Sequence, residues 1–263
     1  MSDLDVRAFT VGPVQENCYI VGSAGAAQTG TGVPAIMIDP GEEPERLLAA
    51  AGSLGVTIEA ILITHCHFDH IGAVAPVAAA TGAPVYCPQI ERPVLADIMR
   101  WVPPGFGPFE SYAADHTLAG GERLSLAGLD IEVLFTPGHS PGHLTYAVSP
   151  SAAQRGAGGT AQDTTAGSAG AAAAHVAPGG ALFSGDVLFA GSVGRVDLPG
   201  GDWATLERSI GSLLRAFPPQ TVVYPGHMGI TTLGRERDTN PFLAELRSVG
   251  KVVSEAQAAS PRR

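Results

Sequence analysis

Short apolar runs of strand length alternate along this chain with longer stretches of helical period. Three runs near the N-terminus, each bounded by Gly or Pro, predict a strand meander over residues 6–11, 17–21 and 34–38. Acidic residues in the first turn and two inward-facing leucines predict a helix over residues 43–51. The chain therefore begins with strands and then passes into a mixed pattern.

The middle of the chain continues this mixture. Residues 58–64 form an apolar run that predicts a strand buried on both faces, and residues 84–87 predict the next strand. Between them we expect a loop from His65 to His70 and an Ala- and Val-rich helix that ends near Ala80. A further helix is predicted over residues 92–101, followed by a loop rich in Pro and Gly at 103–108.

The second half of the chain repeats the pattern. Strands are predicted over residues 122–126, 131–135, 144–148, 181–183 and 221–224. A helix over residues 203–217 is expected to begin at Asp202 as its N-cap and to end before Pro218. Asn240 and Pro241 predict the start of a closing helix. Strands interleaved with helices predict an α/β or α+β layered fold.

One segment lacks any such pattern. Of the 30 residues from 151 to 180, 23 are Ala, Gly, Ser or Thr. That composition cannot bury enough apolar surface to offset the entropy lost on ordering. We predict a single domain over residues 1–250, interrupted by a mobile low-complexity insertion at 151–180, and a frayed tail at 251–263.

Composition and charge narrow the function classes. Hydrophobic residues make up 45% of the 263 residues and charged residues 15%, so a sizeable core can form. The formal net charge of −10, without a basic run, argues against a nucleic-acid or anionic-membrane partner. Cys18, Cys66 and Cys87 form no disulfide framework. No signal peptide and no apolar stretch of about 18 residues is evident, so we expect a soluble, cytoplasmic protein.

Six of the eight histidines fall in three compact contexts, and these carry the candidate chemistry. The contexts are Thr64-His65-Cys66-His67-Phe68-Asp69-His70, Thr136-Pro137-Gly138-His139-Ser140-Pro141-Gly142-His143 and Tyr224-Pro225-Gly226-His227. Three imidazoles and a carboxylate within six residues would repel one another on protonation and would desolvate polar groups without partners. A divalent cation removes both problems, because it binds neutral imidazole and carboxylate.

The spacing favours two metal ions over one. His65 and His67 alternate at the end of a strand and point the same way, whereas Asp69 and His70 lie beyond, where the loop turns into a helix. An open tetrahedral zinc site takes three protein ligands, and this set exceeds that number. A pair of metals also needs a bridging carboxylate, and Asp186 is available at a strand end after two small residues.

These motifs, in this order, resemble those of the metallo-β-lactamase superfamily. The run from Leu188 to Gly201 and the Asn240-Pro241-Phe242 ending resemble short glyoxalase II-like members, of the hydroxyacylglutathione hydrolase type. The resemblance implies a four-layer αββα sandwich with metals at one edge between the sheets. Its implied ligands are His65, His67 and His139 for the first site, Asp69, His70 and His227 for the second, and Asp186 as the bridge. Asp69 and Asp186 are the implied catalytic carboxylates.

The resemblance further implies a hydrolase of small 2-hydroxyacyl thioesters, of the S-lactoylglutathione kind, that acts through a metal-bridging hydroxide. Two divalent metal ions are expected, with zinc favoured and iron or manganese left open. The alternatives are a persulfide dioxygenase with one iron, a lactonase or β-lactamase on the same fold, and a metal-binding scaffold without turnover. Because few residues follow His227, we do not expect the helical domain that holds glutathione in full-length glyoxalase II proteins. The thiol carrier, the acyl group and the oligomeric state are therefore left open.

Residues near the ligands have predicted roles of their own. Arg195 follows Asp186 on a Gly-rich loop, and two roles are open for it: binding a substrate carboxylate or anchoring the loop. Cys66 is predicted to pack, because its side chain points away from the two ligands beside it. His143 is expected to be a hydrogen-bonding partner of the site. The two remaining histidines are predicted to be solvated: His116 in a polar loop and His175 in the insertion.

Overall fold

Two six-stranded sheets form the centre of the computed structural model, which describes residues 4–24, 32–151 and 180–244. The first sheet follows the order of the chain, with strands β1 (Leu4–Val11), β2 (Glu16–Ser23), β3 (Val33–Ile38), β4 (Val56–Leu62), β5 (Val85–Pro88) and β6 (His116–Leu118). The remaining strands are β7 (Arg123–Leu126), β8 (Leu129–Phe135), β9 (Leu144–Pro150), β10 (Ala181–Gly185), β11 (Leu188–Phe189), β12 (Ser192–Val193), β13 (Val222–Pro225) and β14 (Thr231–Thr232). The second sheet has the order β14-β13-β10-β9-β8-β7, and β11 pairs with β12 in a small hairpin.

The helices lie between and after these strands. They are α1 (Pro44–Leu54), α2 (Phe68–Ile71), α3 (Val74–Thr81), α4 (Arg92–Leu95), α5 (Trp203–Ala216) and α6 (Leu233–Thr239), with 3-10 turns at Ile98–Arg100 and Pro241–Leu243. In the parts of the chain that the structure describes, no helix is long and apolar enough to span a bilayer.

Apolar side chains are buried in three clusters, and these give the order of the layers. Leu47 of α1 and Val77 of α3 pack on the outer face of the first sheet. Tyr19 of the first sheet and Tyr146 of the second belong to the cluster between the sheets. On the far side, Ile210 of α5 packs on the outer face of the second sheet. The predicted αββα sandwich is therefore confirmed.

Helix α5 shows how local chemistry sets an element and turns it toward the core. Asp202 is its N-cap, and the Asp202 carboxylate accepts a hydrogen bond from the Thr205 backbone N–H at 2.8 Å. Leu206 and Ile210 are buried one helical turn apart, so one face of the helix lies on the sheet. The helix ends before Pro218, as predicted, because proline cannot continue it.

Parallel strand pairing collects several loops at one edge of the sandwich. Strands β3 and β4 are parallel neighbours, and so are β10 and β13. Loops outside the carboxyl ends of parallel strands meet at the same edge. The Leu144 N–H donates to the Thr64 carbonyl at 2.8 Å, and this bond joins the two sheets at that edge.

Two helix predictions are wrong in extent. Residues 92–101 form α4 and a separate 3-10 turn. The loop that follows forms hydrogen bonds with backbone groups that a continuous helix would pair internally. The Leu95 carbonyl accepts from the Tyr112 N–H at 3.0 Å, and the Ile98 N–H donates to Ser111 Oγ at 3.3 Å. The helix after the first histidine motif is likewise divided into α2 and α3, and His70 lies inside α2 instead of in the loop.

Several short elements are missing from the prediction: β6, β11, β12, β14 and α6. His116 begins β6 and is not in a loop; its exposed ring stacks on Tyr86 with centroids 4.5 Å apart. Asn240 does cap the start of the predicted closing helix, since its side chain accepts from the Phe242 N–H at 3.0 Å. The structure shows a 3-10 turn there, Pro241–Leu243, and the chain beyond residue 244 lies outside the described residues. The insertion between Ser151 and Gly180, His175 within it, and the tail at 251–263 lie outside the described residues.

Candidate metal centre

Three histidine rings converge at the shared edge of the sheets, and we call them the first ligand group: His65, His67 and His139. The His65 Nε2 atom lies 3.0 Å from His67 Nδ1 and 3.2 Å from His139 Nε2, and the last two atoms are 2.8 Å apart. Burial lowers the pKa of His65 well below its ordinary value. Burial together with His139 lowers the pKa of His67 to about 4. Burial thus favours the neutral, metal-binding form of His65 and His67, and all three rings direct a nitrogen atom at one point, as in a zinc site.

The outer ring nitrogens show which atoms are free to bind. The Thr64 hydroxyl donates to Asp39 Oδ2 at 2.6 Å, so it can only accept from His65 Nδ1, which lies 3.2 Å away. His139 Nδ1 donates to the Arg195 carbonyl at 2.7 Å. These hydrogen bonds place the ring protons of His65 and His139 on Nδ1. The Nε2 lone pairs of these two rings therefore point to the place where the three rings converge.

The second ligand group consists of Asp69, His70 and His227. The His227 Nε2 atom lies 3.3 Å from Asp69 Oδ2, and His70 Nε2 lies 3.8 Å from the same oxygen. His70 Nδ1 donates to Asp39 Oδ2 at 3.0 Å, and His227 Nδ1 donates to the Gln15 carbonyl at 3.2 Å. Both rings therefore turn Nε2 toward the Asp69 carboxylate.

This group attracts positive charge. Burial disfavours the charged form of His70, but the charges of Asp186 and Asp69 outweigh it and raise the pKa of His70 well above its ordinary value. Burial also opposes charge on His227, yet its hydrogen bond to Asp69 and the charge of Asp186 raise its pKa. Burial disfavours the Asp69 carboxylate, but His70 and His227 lower its pKa overall. A divalent cation would supply the charge these groups favour.

Asp186 lies between the two ligand groups and contacts both. Its Oδ2 atom is 3.5 Å from His139 Nε2 and 3.5 Å from His227 Nε2, and its Oδ1 atom is 3.4 Å from His70 Nε2. Burial acts to raise the pKa of Asp186, but the positive charge of His70 outweighs burial and holds that pKa far below its ordinary value. An ionised carboxylate in this position can serve both groups.

Unpaired polar atoms show that the donor set fits metal ions. Among the described residues, four buried side-chain atoms have no hydrogen-bond partner, and all lie in this region: His70 Nε2, Asp186 Oδ1 and both carboxylate oxygens of Glu16. A buried polar atom without a partner costs about 1–3 kcal/mol. A bound cation would take the place of a proton on His70 and would give His70 Nε2 and Asp186 Oδ1 a partner. The residues present therefore fit a pair of divalent metal ions.

Two glycines allow this close approach. Gly185 has φ +44°, and a Cβ atom there would lie 2.5 Å from Thr64 Oγ1 and 2.7 Å from His143 Nε2. A Cβ atom on Gly226 would overlap Asp186 Oδ1. Larger residues at these two positions would push the strand ends apart and displace the carboxylate.

His143 orients the backbone at Asp186. Its Nε2 atom accepts the Asp186 backbone N–H at 3.1 Å, while Nδ1 lies 3.1 Å from Thr136 Oγ1. Burial, reinforced by His139, lowers the pKa of His143 well below its ordinary value, so the ring stays neutral and can accept. The structure thus places His143 as the hydrogen-bonding partner that its sequence position predicts.

Two residues that no motif predicts hold the His227 loop. The Asn17 side-chain amide donates to the Met228 carbonyl at 2.9 Å and to the Pro225 carbonyl at 3.2 Å, and the Tyr19 hydroxyl donates to the Pro225 carbonyl at 2.6 Å. Both side chains are buried in β2. Buried polar groups in an otherwise apolar strand are the signal that could have identified them.

Two residues beside the ligands have defined contacts. The Arg195 guanidinium donates to both carboxylate oxygens of Asp197 at 2.6 Å, and the two side chains are 63% and 66% exposed. The ion pair joins residues two apart on the same exposed loop, so both roles predicted for Arg195 stay predictions. Cys66 is buried with its Sγ atom 3.6 Å from Cys87 Sγ, so its predicted packing role is confirmed.

Comparison with known proteins agrees with this fold and centre. Residues 11–149 match the model of the Metallo-beta-lactamase superfamily, and the chain belongs to that superfamily. It is 34% identical over 244 residues to the "Probable metallo-hydrolase YqgX" of Bacillus subtilis, covering 90% of this chain and 96% of that protein. It is 28% identical over 243 residues to the "Hydroxyacylglutathione hydrolase GloC" of Haemophilus influenzae, covering 91% of this chain and 98% of that one.

Solved structures give the same result. The BLEG-1 B3 metallo-beta-lactamase is similar with a TM-score of 0.72 and 34% identity, over 91% of this chain and all of that one. TTHA1623, solved in a di-iron-bound form, has a TM-score of 0.62 and 40% identity, over 90% of this chain and all of that one. The superfamily binds divalent metals, and this chain is a metallo-hydrolase of that superfamily.

Proposed function

We propose that this protein hydrolyses small 2-hydroxyacyl thioesters with two divalent metal ions. The observation that carries the proposal is the Asp186 carboxylate, which contacts His139 of the first ligand group and both histidines of the second. A carboxylate shared in this way is suited to bridging two metals. The di-iron form of TTHA1623 supports the metal count, and the name of the Haemophilus influenzae relative supports the substrate class.

Two ions bound by the seven ligand residues would supply a water molecule with a lowered pKa and would polarise the substrate carbonyl. The chain's own residues hold the geometry for that reaction. His143 fixes Asp186 through its backbone N–H, and the Asp69 carboxylate, 13% exposed, could orient the attacking water. Imidazole mixed with carboxylate suits zinc, iron and manganese alike, and we favour zinc.

A thioester fits this centre because its thiolate leaving group needs no general acid from the protein. Thiols have a pKa of about 8–9, so the thiolate can leave without protonation by a strong acid. Arg195 is the proposed contact for a substrate carboxylate, which would replace Asp197 at the guanidinium. If so, Arg195→Lys raises KM for a charged thioester far more than for an uncharged one, since lysine cannot form the planar fork. Equal effects on both substrates would assign Arg195 to loop anchoring.

Hydrolysis of a lactam or lactone is the second candidate. It is supported by the similarity to the BLEG-1 B3 metallo-beta-lactamase at 34% identity. The same ligand residues would act on a different carbonyl, and substrate contacts outside the ligand groups would decide between the two. A cytoplasmic location and a small-molecule substrate stay predictions.

A substrate panel tests the proposal. The purified protein is assayed with S-lactoylglutathione, S-lactoyl-N-acetylcysteamine, a homoserine lactone, a penicillin and glutathione persulfide, before and after metal removal. We expect kcat/KM to be highest for one of the two lactoyl thioesters, and to be lost on chelation and restored by metal. Asp186→Asn serves as the control for background hydrolysis. Turnover of the lactone, penicillin or persulfide with neither thioester hydrolysed would overturn the thioester assignment.

A further inference from the structure

We infer that Glu91 is a positioning residue that sets the geometry of the first ligand group by tying its two loops together. The role rests on the metal centre proposed above and adds a residue that no motif contains. Glu91 touches no imidazole of the group. It acts through the backbone and side-chain groups next to the ligands.

One carboxylate links both loops. Glu91 Oε2 accepts the backbone N–H of Cys66 at 2.5 Å, and Cys66 stands between two histidines of the first ligand group. Glu91 Oε1 accepts the Ser140 hydroxyl at 2.5 Å and the Gly142 backbone N–H at 2.8 Å, in the loop that carries the third histidine, His139. The two loops come from different sheets, so this carboxylate connects the two halves of the sandwich beside the candidate centre.

Glu91 is itself firmly placed. Its backbone N–H donates to the Pro88 carbonyl at 3.0 Å, and its carbonyl accepts from the Val94 N–H at 2.9 Å. The residue is 4% exposed. A Cβ atom on Gly142 would lie 2.7 Å from Glu91 Cγ, so the approach of the second loop depends on that glycine. A buried carboxylate with three donors is a rigid connection, because each lost donor leaves a desolvated acceptor.

The consequence follows from where the ligands lie. His65 and His67 come after the end of β4, and His139 lies in the turn between β8 and β9, so regular strand pairing fixes none of the three rings. The nitrogen atoms of this group must stay within about 3 Å of one another to share one ion. Contacts that orient metal ligands typically affect metal affinity by about 10- to 100-fold. Loss of the Glu91 carboxylate should weaken metal binding by this factor without removing any ligand.

The test compares Glu91→Gln with a matched control, Glu236→Gln. Glutamine keeps the shape of the side chain but replaces one carboxylate oxygen with an NH₂ group, which cannot accept a hydrogen bond. Glu236 is also buried and also accepts three hydrogen bonds, from the Gly191 N–H, the Thr231 hydroxyl and the Asn240 amide, none of which lies in a ligand loop. Metal-free wild type and both variants are titrated with Co²⁺ against a competing chelator, recording the absorption spectrum and the free energy of unfolding.

We expect Glu91→Gln to bind its tighter Co²⁺ ion about 10- to 100-fold more weakly, with an altered absorption spectrum, while Glu236→Gln keeps wild-type affinity and spectrum. Ser140→Ala removes one donor and leaves the carboxylate, so a smaller loss in the same direction is expected even if Glu91→Gln folds poorly. If both Glu91→Gln and Ser140→Ala keep the wild-type Co²⁺ affinity and spectrum, while the wild type binds Co²⁺ normally, the role of Glu91 is overturned. The metal centre is not affected by that result. Failure of the wild type to bind Co²⁺ would overturn the metal centre and this role with it.

Discussion

The two ligand groups differ in composition, exposure and support. The first is entirely imidazole, with nitrogen atoms 2.8–3.2 Å apart. The second mixes a carboxylate with two rings, its paired atoms lie 3.3–3.8 Å apart, and the His227 side chain is 20% exposed. Glu91 ties the loops of the first group together, whereas the loop of His227 is held by Asn17, 211 residues from Met228 in sequence.

The difference indicates that the two groups bind their metal ions with different affinities. A closely spaced set of imidazole nitrogens, two of whose three rings are buried, is already arranged for one ion, so it should bind that ion tightly. The second group is wider and partly open, and the β1–β2 hairpin supports it from the other end of the chain. It should bind its ion more weakly and lie on the side where substrate enters.

The largest effect is expected at the residue the groups share. Asp186→Asn keeps the shape of the side chain but removes the charge that contacts both groups. We expect the metal content to fall toward one ion per chain and kcat to drop by on the order of 10³-fold, as when a strong electrostatic contact is lost from an active site. Elemental analysis and thioester assays of the same samples measure both. Unchanged metal content would contradict a bridging role.

A direct comparison of the two groups comes from His139→Ala and His227→Ala. Loss of the His139 ring opens the tight group, so we expect the high-affinity ion to disappear from a calorimetric titration. Loss of the partly exposed His227 ring should leave that ion bound and remove the weaker one. Both variants should lose most activity. If the two substitutions gave identical binding curves, the contrast between tight and open groups would be wrong.

A smaller effect is expected at the support of the second group. Asn17→Ala removes two hydrogen bonds to the loop of His227. We expect the weaker metal ion to bind about 10- to 100-fold less tightly while the tighter ion is unaffected. Tyr19→Phe removes one hydrogen bond to the same loop and should cost about 1 kcal/mol of stability. Equal weakening of both ions would show that the hairpin supports the whole edge.

The smallest effect is expected from shortening the chain between β9 and β10. Ala181 pairs with Val148, so deletion of residues 152–179 leaves Ser149, Pro150, Ser151 and Gly180 as a four-residue connection, a length that hairpins accept. We expect kcat to stay within about a few-fold and stability to be equal or slightly higher, because loop closure costs little. A folded, metal-loaded deletion variant with activity reduced by orders of magnitude would place this segment in the active site.

The sequence predicts much of the fold because its layers follow local patterns. Strands with apolar runs and the caps at Asp202 and Asn240 all depend on neighbouring residues, and the structure contains them. The break between α4 and the 3-10 turn could not be predicted, because it depends on Ser111 and Tyr112 from the following loop. Short strands such as β6 were missed for a similar reason: partner strands define them, and their own composition does not.

The candidate site divides in the same way. The seven proposed ligands lie in motifs, and the structure brings all of them together. Asp39 could have been predicted as a supporting residue, because it directly follows β3, beside the strand that leads to His65. Glu91 could not, since its partners come from two distant loops that meet only in the folded protein. Motifs thus identify the ligands, whereas the residues that orient them emerge from the three-dimensional contacts.

The most direct test of the account is a metal titration of the metal-free protein with thioester hydrolysis followed at every step. The central claim is that both ligand groups, joined by Asp186, must be filled for catalysis. Activity should therefore stay low through the first equivalent of zinc and rise with the second, reaching a plateau near two ions per chain. Full activity at one equivalent, with no further change at the second, would contradict it.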